Sequence, residues 1–448
     1  MTTGAPSSGL ILAGVQSSSG KTAISCLLLA ALRARGVALQ PFKAGPDFID
    51  PGYHTAYAGV SSRNLDTWLM GIDGVRREVA RHGAGRVSIL EGVMGLFDGS
   101  DVASAEGSTM ELARLLGWPI VLVLPCAKVG RSLAAMLRGF IEEAVPQKIC
   151  GVILNEVSGG SHADYLREAI APLKVPVLGA VPRCEELRWP ERHLGLRASQ
   201  EMALPSADTL AQLAERFFDM PKLLAMLVPA AAAAATAKAQ MATARRIAIA
   251  KDEAFHFYYA SNLDHLRRNG VELVEFSPLR DSALPEEIEG VIFGGGFPEC
   301  FAEALAQNAS LRTEIRSAIG DGLPCYAECG GLMYLAEELL ATDGRRFPMT
   351  GALPGAVEMT PRLVNFGYCQ TSWAGEDDRR VYRGHEFHHS RWLAEREHAN
   401  LWGVRKKRGG ASRREGFTHA RLHASYVHLH FASAAPVIDR FLLERSAA

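Results

Sequence analysis

The chain has 448 residues, 48% of them hydrophobic and 22% charged, and is long enough to form more than one domain with a buried core. Its formal net charge is -1, from 48 Lys+Arg and 49 Asp+Glu, which excludes binding to nucleic acid or to an anionic membrane through an overall basic charge. The eight cysteines lack the spacing of a disulfide framework or a zinc site, and no apolar run is long enough to cross a bilayer, so we expect a cytoplasmic protein.

The predicted elements begin with a buried strand at residues 10–14, a loop, and a helix over residues 21–33. Further short apolar runs, separated by helical patterns, lie at residues 87–90, 120–124, 151–154 and 175–178. Alternation of buried strands with helices predicts a parallel sheet that is covered by helices on both faces. We therefore predict an α/β domain with a parallel sheet over residues 9–226.

An alanine-rich stretch without aromatic residues follows at residues 227–244, and we interpret it as a domain linker, with an exposed helix as the alternative. The strand and helix patterns then restart, with RRIAIA at residues 245–250, a helix over residues 259–268, and apolar runs that end in GVIFGGG and PCYAECGG. Residues 245–448 are therefore predicted to form a second α/β domain with a sheet of its own.

The segment GVQSSSGKT, residues 14–22, lies between the first predicted strand and the first helix. Backbone N–H groups at such a turn bind phosphate oxygens, and the Lys and Thr that follow bind phosphate and magnesium. Five residues separate the two glycines instead of the usual four, and the alternative is a serine-rich turn that binds nothing. The predicted ATP-binding residues of this P-loop are Gly14, Ser19, Gly20, Lys21 and Thr22, and Thr22 is also a predicted Mg2+ ligand.

Several acidic residues are predicted to lie near this loop. Glu91 comes directly after the predicted strand at residues 87–90 and is the predicted second magnesium ligand. The block KAGPDFIDPGYH places Lys43, Asp47 and Asp50 in a loop, and Asp98 follows in GLFDG. Each acid alone fits a solvated carboxylate or a helix cap equally well. Because these acids lie beside a phosphate loop, the pattern favours a catalytic role. Lys43 is predicted to contact the nucleotide and Asp47 to be a further metal ligand, and all three aspartates are predicted to lie in the active site.

The second half contains a candidate nucleophile. In GLPCYAECGGLMYL an apolar strand runs into Cys329 and then into a helical stretch, a geometry that exposes a thiol at a helix N-terminus and lowers its pKa. Cys325 lies within the strand and is predicted to be a core residue. Gly294, Gly295 and Gly296 follow another strand and are predicted to form an oxyanion hole for acyl transfer to the thiol.

Histidines near the C-terminus offer the general base that a cysteine nucleophile needs. The segment HASYVHLHF contains His423, His428 and His430, and a period of two places the last two on the same side of a strand. Surface histidines or zinc ligands are the alternative, because His-x-His on a strand is also a zinc-ligand spacing. The candidate cysteine nucleophile favours the catalytic interpretation for one of them.

The set of motifs resembles the cobyrinic acid a,c-diamide synthase family over residues 9–431. The segments that carry the resemblance are GVQSSSGKT, KAGPDFIDPGYH, RNLDTW, EGVMGLFDG, GVILN, GGGFPE, AECGGLMYL, RLVNFGY, GHEFHHS and SYVHLHF. The resemblance implies a dethiobiotin-synthetase-like ATP domain fused to a class I glutamine amidotransferase domain. It also implies the reaction: ATP- and glutamine-dependent amidation of the a and c acetate groups of a corrin, cobyrinic acid, through acyl phosphates in cobalamin biosynthesis.

Residue roles follow from the resemblance by motif. Lys21 and Thr22 match phosphate-binding residues, and Asn155 looks like an asparagine that contacts adenine. Cys329 matches the glutaminase nucleophile, and His428 matches the catalytic histidine in the family pattern Tyr-x-His. The matched acidic positions around metal and substrate are Asp47, Asp50, Glu91 and Asp98. The resemblance also implies that L-glutamine is a substrate and that the enzyme forms a homodimer.

Two positions depart from the family pattern. Many class I amidotransferases carry a glutamate two residues after the catalytic histidine, where this chain has His430, so either a Cys–His dyad or another orienting group such as Glu386 is implied. In VLVLPCAKVGRS, Pro125 and Cys126 stand where an aspartate is expected. The second departure affects the details of substrate binding and not the class of reaction.

Other functions are compatible with parts of the pattern. The same reaction on hydrogenobyrinic acid is the nearest, and cobyric acid synthase is disfavoured by KAGPDFIDPGYH and GHEFHHS. In another class, a ParA- or MinD-like switch ATPase is disfavoured because QSSSG lacks the extra lysine of those loops. A scaffold with a decayed second domain is disfavoured by the retained Cys329 and His428.

Overall fold

The structure is a computed structural model that describes residues 8–192, 195–196, 199–231, 245–374 and 380–444. The described residues form two compact units, the first within Met1–Thr67 and Gly71–Thr236 and the second within Trp68–Met70 and Ala237–Ala448. Of the predicted linker, residues 227–231 are described, and residues 232–244 lie outside the described residues.

The first unit alternates strands and helices along the chain. Its strands are β1 (Gly9–Gly14), β2 (Leu39–Ala44), β3 (Arg63–Leu65), β4 (Val87–Glu91), β5 (Ile120–Pro125), β6 (Ile149–Val157), β7 (Val177–Pro182), β8 (Glu191–Arg192) and β9 (Gly195–Leu196). Its helices are α1 (Lys21–Ala34), α2 (Asp50–Ala58), α3 (Thr67–Gly83), α4 (Thr109–Leu116), α5 (Ser132–Ala144), α6 (Gly160–Ile170), α7 (Ala207–Phe217) and α8 (Met220–Ala225).

Seven of these strands form one parallel sheet in the order β3-β2-β4-β1-β5-β6-β7. Strands β1, β2, β4 and β5 are buried almost throughout, because helices cover both faces of the sheet. Apolar residues of α1, including Leu27, Leu28 and Leu32, pack in the core on one face. The carboxyl ends of β1, β4 and β2 are adjacent, so the loops that follow these three strands meet at one edge.

The second unit contains more strands than helices. Its strands are β10 (Arg245–Ala250), β11 (Phe255–Phe257), β12 (Val271–Phe276), β13 (Gly290–Phe293), β14 (Gly295–Gly296), β15 (Cys325–Glu328), β16 (Glu338–Leu340), β17 (Arg346–Pro348), β18 (Ala356–Met359), β19 (Asn365–Trp373), β20 (Tyr382–His388), β21 (Ser390–Leu393), β22 (Trp402–Lys406), β23 (Arg413–Glu415), β24 (Phe417–His419), β25 (Leu422–Ser425) and β26 (His428–Leu429). Its helices are α9 (Ala260–Arg268), α10 (Ala302–Gln307), α11 (Ala309–Gly320), α12 (Gly330–Leu335) and α13 (Phe431–Ile438).

The main sheet of this unit has the order β12-β10-β13-β15-β25-β24, and only the pair β24 and β25 is antiparallel. Alternate residues of its strands belong to two apolar clusters: Ala248 and Val291 lie in one, whereas Ile247 and Ile292 lie in the other. Separate four-stranded and five-stranded sheets have the orders β17-β16-β18-β21 and β23-β22-β19-β20-β26, and β11 pairs with β14 in a two-stranded antiparallel sheet. The predicted α/β class is therefore confirmed for both halves of the chain. Within the described residues, no helix is long and apolar enough to span a membrane.

Candidate active sites

The P-loop joins β1 to α1, as the sequence predicts. The hydroxyl of Ser19 donates to the carbonyl oxygen of Gln16 at 2.6 Å, which closes the turn. The ammonium of Lys21 donates to the carbonyl oxygens of Gln16 and Met94, at 3.3 and 2.7 Å. Burial and the nearby charge of Lys43 lower the pKa of Lys21 to about 8. A lysine in this position can turn from carbonyl oxygens towards phosphate oxygens.

Gly20 and Asn155 lie against each other at the start of α1. Gly20 has a φ of 83°, and a Cβ atom there would lie 2.1 Å from Nδ2 of Asn155. The same amide nitrogen donates to the carbonyl oxygen of Ser19 at 3.0 Å. Asn155 therefore supports the loop directly, and its adenine contact stays a prediction.

Glu91 is the centre of a buried polar cluster at the edge of the sheet. Its Oε1 atom accepts from the hydroxyl of Thr22 at 3.0 Å and from the ammonium of Lys43 at 2.8 Å. Its Oε2 atom lies 2.6 Å from Nε2 of His54, whose other ring nitrogen contacts Ser62. Burial alone would raise the pKa of Glu91, but Lys43 and His54 lower it well below its usual value. The carboxylate is therefore ionised at neutral pH.

The three predicted aspartates lie in different surroundings. Asp50 is 2.5 Å from the ammonium of Lys43, and Asp47 is 3.8 Å from it. Oδ1 of Asp47 also accepts backbone N–H groups of residues 49 and 50 at the start of α2. Asp98 is exposed and accepts the N–H of Gly95 at 2.8 Å. The structure thus brings Asp47 and Asp50 together around Lys43, and Asp98 orders its own loop.

The first site can hold a magnesium ion that arrives with a nucleotide. Among the described residues, no group of three or more His, Cys, Asp or Glu side chains is arranged to hold a metal by itself. Nucleotide-bound magnesium usually needs only one or two protein carboxylates, because phosphates and water supply the other ligands. The neighbouring oxygens of Thr22 and Glu91 fit that requirement.

Cys329 occupies a sharp turn between β15 and α12. Its φ of 48° is unusual for a residue with a side chain, and its N–H donates to the carbonyl oxygen of Ser425 at 2.7 Å. Close approach of α12 to β13 requires glycine at the next positions: a Cβ atom on Gly331 would lie 2.4 Å from the carbonyl oxygen of Phe293. Strain of this kind is typical of a strand-to-helix turn that presents a nucleophile.

His428 lies beside this cysteine and is almost completely buried. Its Nδ1 atom is 3.2 Å from Oε2 of Glu328, and it forms a hydrogen bond with the thiol of Cys329. Burial lowers the pKa of His428, but the hydrogen bond and charge of Cys329, together with Glu328, outweigh burial and raise the pKa to about 10. Contact with an imidazolium favours the thiolate form of a cysteine.

The triple glycine lies next to both of these side chains. A Cβ atom on Gly295 would be 2.7 Å from Cε1 of His428, and one on Gly330 would be 3.1 Å from the nitrogen of Gly296. The N–H of Gly294, however, donates to the hydroxyl of Tyr258 at 2.8 Å. Gly295 and Gly296 are therefore the better candidates for an oxyanion hole, and that role stays a prediction.

The other two histidines near the C-terminus have different surroundings. His423 stacks on Tyr326 with ring centroids 4.3 Å apart, and burial lowers its pKa to about 3. His430 accepts the N–H of Ala432 at 3.2 Å, which caps α13. Glu386 contacts Arg413 and lies 3.6 Å from His388.

Sequence reasoning missed Glu328 and His54, the partners of His428 and Glu91. Both contacts join residues far apart in the chain, so no local pattern reports them. A weak signal was available for Glu328, because an acidic residue at the end of an apolar strand, directly before the nucleophile, requires a buried partner.

Comparisons with known proteins match one family to a segment in each half of the chain. Residues 10–196 match the family described as the CobQ/CobB/MinD/ParA nucleotide binding domain, and residues 246–436 match the CobB/CobQ-like glutamine amidotransferase domain. The two folds and sites define an enzyme with a nucleotide-binding domain and a glutamine amidotransferase domain.

Relatives over almost the full length are named cobyrinate a,c-diamide synthase. The one from Synechococcus sp. is 41% identical and aligns over 97% of both chains. The one from Syntrophotalea carbinolica is 42% identical over 95% of both chains. The one from Salmonella typhimurium is 38% identical over 96% of this chain and 97% of its own. The chain belongs to the cobyrinate a,c-diamide synthase family, which confirms the resemblance seen in the motifs.

Proposed function

We propose that this enzyme uses ATP and glutamine to convert the a and c acetate carboxylates of cobyrinic acid into carboxamides. The observation that carries the proposal is that one member of this family has both a P-loop whose Thr22 contacts Glu91 and a Cys329 that contacts His428. The names of the relatives support the choice of substrate. Amidation of a carboxylate in water needs activation, and ATP supplies it by phosphorylating one carboxylate oxygen.

In the first unit, the loop N–H groups and Lys21 would bind the phosphates of ATP. Thr22 and Glu91 would hold Mg2+, which neutralises charge on the phosphates during transfer. Lys43, held by Asp50 and Glu91, would stabilise charge that develops on the transferred phosphoryl group. Asp47 and Asp98 remain candidates for contact with metal or substrate, and Asn155 for contact with adenine.

In the second unit, the thiolate of Cys329 would attack the amide carbon of glutamine, and His428 would give a proton to the departing ammonia. Water would then attack the thioester, with His428 accepting its proton, and glutamate would leave. Gly295 and Gly296 would donate N–H groups to the oxyanion. The ammonia released is the nucleophile for the activated carboxylate.

The test is to incubate the purified protein with ATP, Mg2+, glutamine and cobyrinic acid and to follow the corrin mass for two successive replacements of OH by NH2. A parallel reaction contains hydrogenobyrinic acid, the metal-free alternative. Cys329→Ser is supplied with either glutamine or ammonia, and we expect activity only with ammonia. Failure of the wild type to amidate cobyrinic acid would overturn the proposed substrate.

Two further properties belong to the proposal. The eight cysteines lack the spacing of a disulfide framework, which supports a reducing compartment such as the cytoplasm. A homodimer is proposed from the family resemblance, and light scattering of the purified protein would test it.

A further inference from the structure

Glu328 lies between the nucleophile and the main sheet, and both of its carboxylate oxygens have partners. Oε1 accepts from the hydroxyl of Tyr326 at 2.7 Å and from the N–H of Leu429 at 3.1 Å. Oε2 lies 3.2 Å from Nδ1 of His428. Since two donors fix the first oxygen, the second is held in place towards the imidazole.

The ring of His428 is held on its other sides as well. His385 pairs with His428 across β20 and β26, and the two rings stack with centroids 4.9 Å apart and planes 16° apart. His385 in turn contacts the hydroxyl of Tyr259 at 2.7 Å. Burial and the proximity of His428 and His430 lower the pKa of His385, so it stacks as a neutral ring. His428 is therefore placed by contacts and has little freedom to rotate.

The other candidates for an orienting group are engaged elsewhere. His430, two residues after His428, caps α13 through Nδ1. Glu386 lies on the opposite face of β20 from His385, because successive residues of a strand alternate, and it contacts Arg413.

We propose, on the basis of the glutaminase function proposed above, that Glu328 is the positioning residue of His428 and replaces the glutamate that other class I amidotransferases carry two residues after this histidine. The carboxylate accepts a hydrogen bond from Nδ1, which stabilises the imidazolium form of His428 beside the thiolate and leaves Nε2 to face the sulfur. His428 can then give its Nε2 proton to the nitrogen of glutamine as the thiolate attacks and the C–N bond breaks. Glu328 acts through this hydrogen bond alone and takes no part in the proton transfers.

Glu328→Gln is the most direct test, because it preserves shape and removes the charge. The glutamine oxygen can still accept from Tyr326 and Leu429, so its NH2 group faces Nδ1 of His428 and forces that nitrogen to accept. Nε2 then carries the proton and cannot deprotonate the thiol. In serine proteases the equivalent isosteric change lowers kcat by about 10⁴-fold. We expect kcat for glutamine hydrolysis to fall by about 10²- to 10⁴-fold, with KM changed less than about twofold because Glu328 does not bind glutamine.

A pH profile separates positioning from a merely structural role. Loss of the negative charge lowers the pKa of His428, so the alkaline limb of kcat/KM should move to lower pH. Tyr326→Phe removes one donor to Glu328, and a smaller shift in the same direction is expected. Glu386→Gln is the matched control: it also removes a buried glutamate, and its alkaline limb should stay at the wild-type position.

Two further readouts make the outcomes distinct. Ammonia-dependent amidation of the corrin and the thermal unfolding midpoint report whether each variant is folded. Absence of glutaminase activity in the wild type would contradict the proposed function itself. If the wild type hydrolyses glutamine, an unchanged alkaline limb in both Glu328→Gln and Tyr326→Phe would overturn the role of Glu328. A shift of the alkaline limb in Glu386→Gln instead would overturn it as well.

Discussion

At the scale of single residues, Gly20 is the tightest point of the P-loop. Its left-handed backbone costs about 1–2 kcal/mol for a residue with a side chain, and an added Cβ atom would also collide with Nδ2 of Asn155 at 2.1 Å. Either the loop or Asn155 must move to relieve that collision. We expect Gly20→Ala to weaken binding of ATP and Mg2+ by at least about tenfold, as measured by titration calorimetry.

Gly36 provides a control for backbone strain alone. It follows α1 with a φ of 73°, and nothing lies within 4 Å of an added Cβ atom. Gly36→Ala should therefore lower the thermal midpoint through the same strain and leave the Kd for ATP unchanged. Equal loss of ATP binding in both variants would show that the contact between Gly20 and Asn155 is not the cause.

Lys43 is the second residue with a strong local effect, because it is the cation among buried carboxylates. Burial opposes its charged form, but Asp50, Glu91 and Asp47 outweigh burial and raise its pKa. Lys43→Met leaves Glu91 and Asp50 without this partner, and breaking a buried ion pair costs about 3–5 kcal/mol. We expect a clear fall in the thermal midpoint at pH 7 and partial recovery on mild acidification, as the carboxylates become protonated.

The matched control is Lys222, which pairs with Asp219 at the protein surface at 2.5 Å. The side chain of Lys222 is exposed and that of Asp219 is half-buried, and surface pairs contribute about 0–1 kcal/mol. Lys222→Met should leave the thermal midpoint almost unchanged at every pH. A similar loss in the two variants would mean that burial of the Lys43 cluster has no energetic consequence.

At the scale of elements, α12 must approach β13 closely to present Cys329. Gly331→Ala would place a Cβ atom 2.4 Å from the carbonyl oxygen of Phe293, so the helix has to shift and carry the nucleophile with it. A displacement of about 1 Å can cost 10²-fold in rate, and we expect a loss of that order in glutamine-dependent amidation. Ammonia-dependent amidation should be retained, because the first unit is unaltered.

Gly320 allows the same substitution in a helix that has room for it. It ends α11, is exposed, and has nothing within 4 Å of an added Cβ atom. Gly320→Ala should keep glutamine-dependent activity and leave stability unchanged or raise it by up to about 1 kcal/mol. Loss of glutaminase activity in this variant as well would point to a general sensitivity of the second unit.

The elements differ in how far the sequence reports them. The strands at residues 87–90 and 120–124 and the helix that begins at Lys21 were predicted within a residue or two of β4, β5 and α1, because apolar periodicity and glycine turns are local signals. Strand β2 was missed, since LQPFKA contains polar residues and a proline, although it is buried between β3 and β4. The four- and five-stranded sheets were also not predicted, because their pairing is non-local.

The candidate sites show the same limit. Lys21, Thr22, Cys329 and His428 are found by motif, because each lies in a short segment whose backbone shape is encoded locally. Contacts between distant segments, such as that between Glu328 and His428, depend on the register of strands 100 residues apart. The identity of an orienting or charge-balancing partner therefore requires the structure.

At the scale of the whole molecule, two buried groups give stability opposite dependences on pH. Glu415 accepts from Ser425 and from the N–H of Tyr426, and burial, with the nearby Glu386, raises its pKa from 4.5 to about 7. The folded protein then holds a proton that the unfolded chain has released, so this contribution is complete below pH 4.5 and is lost as the pH rises through about 7. His423 behaves in the reverse way: burial lowers its pKa from 6.5 to about 3, so its contribution is complete above pH 6.5 and is lost as the pH falls.

Comparison of two variants with the wild type isolates these groups, because all other titrations cancel in the difference. We expect the thermal midpoint of Glu415→Gln, relative to wild type, to rise between pH 5 and pH 8, corresponding to up to about 3 kcal/mol. His423→Phe keeps the stack on Tyr326. Relative to wild type, its thermal midpoint should rise as the pH falls from 8 to 5, which corresponds to up to about 2 kcal/mol in the free energy of unfolding. A buried acid and a buried base that are both neutral in the folded protein must change its stability with pH in opposite directions. The assigned protonation states would be contradicted if the midpoint difference from wild type changed with pH in the same direction in both variants, or did not change in one of them.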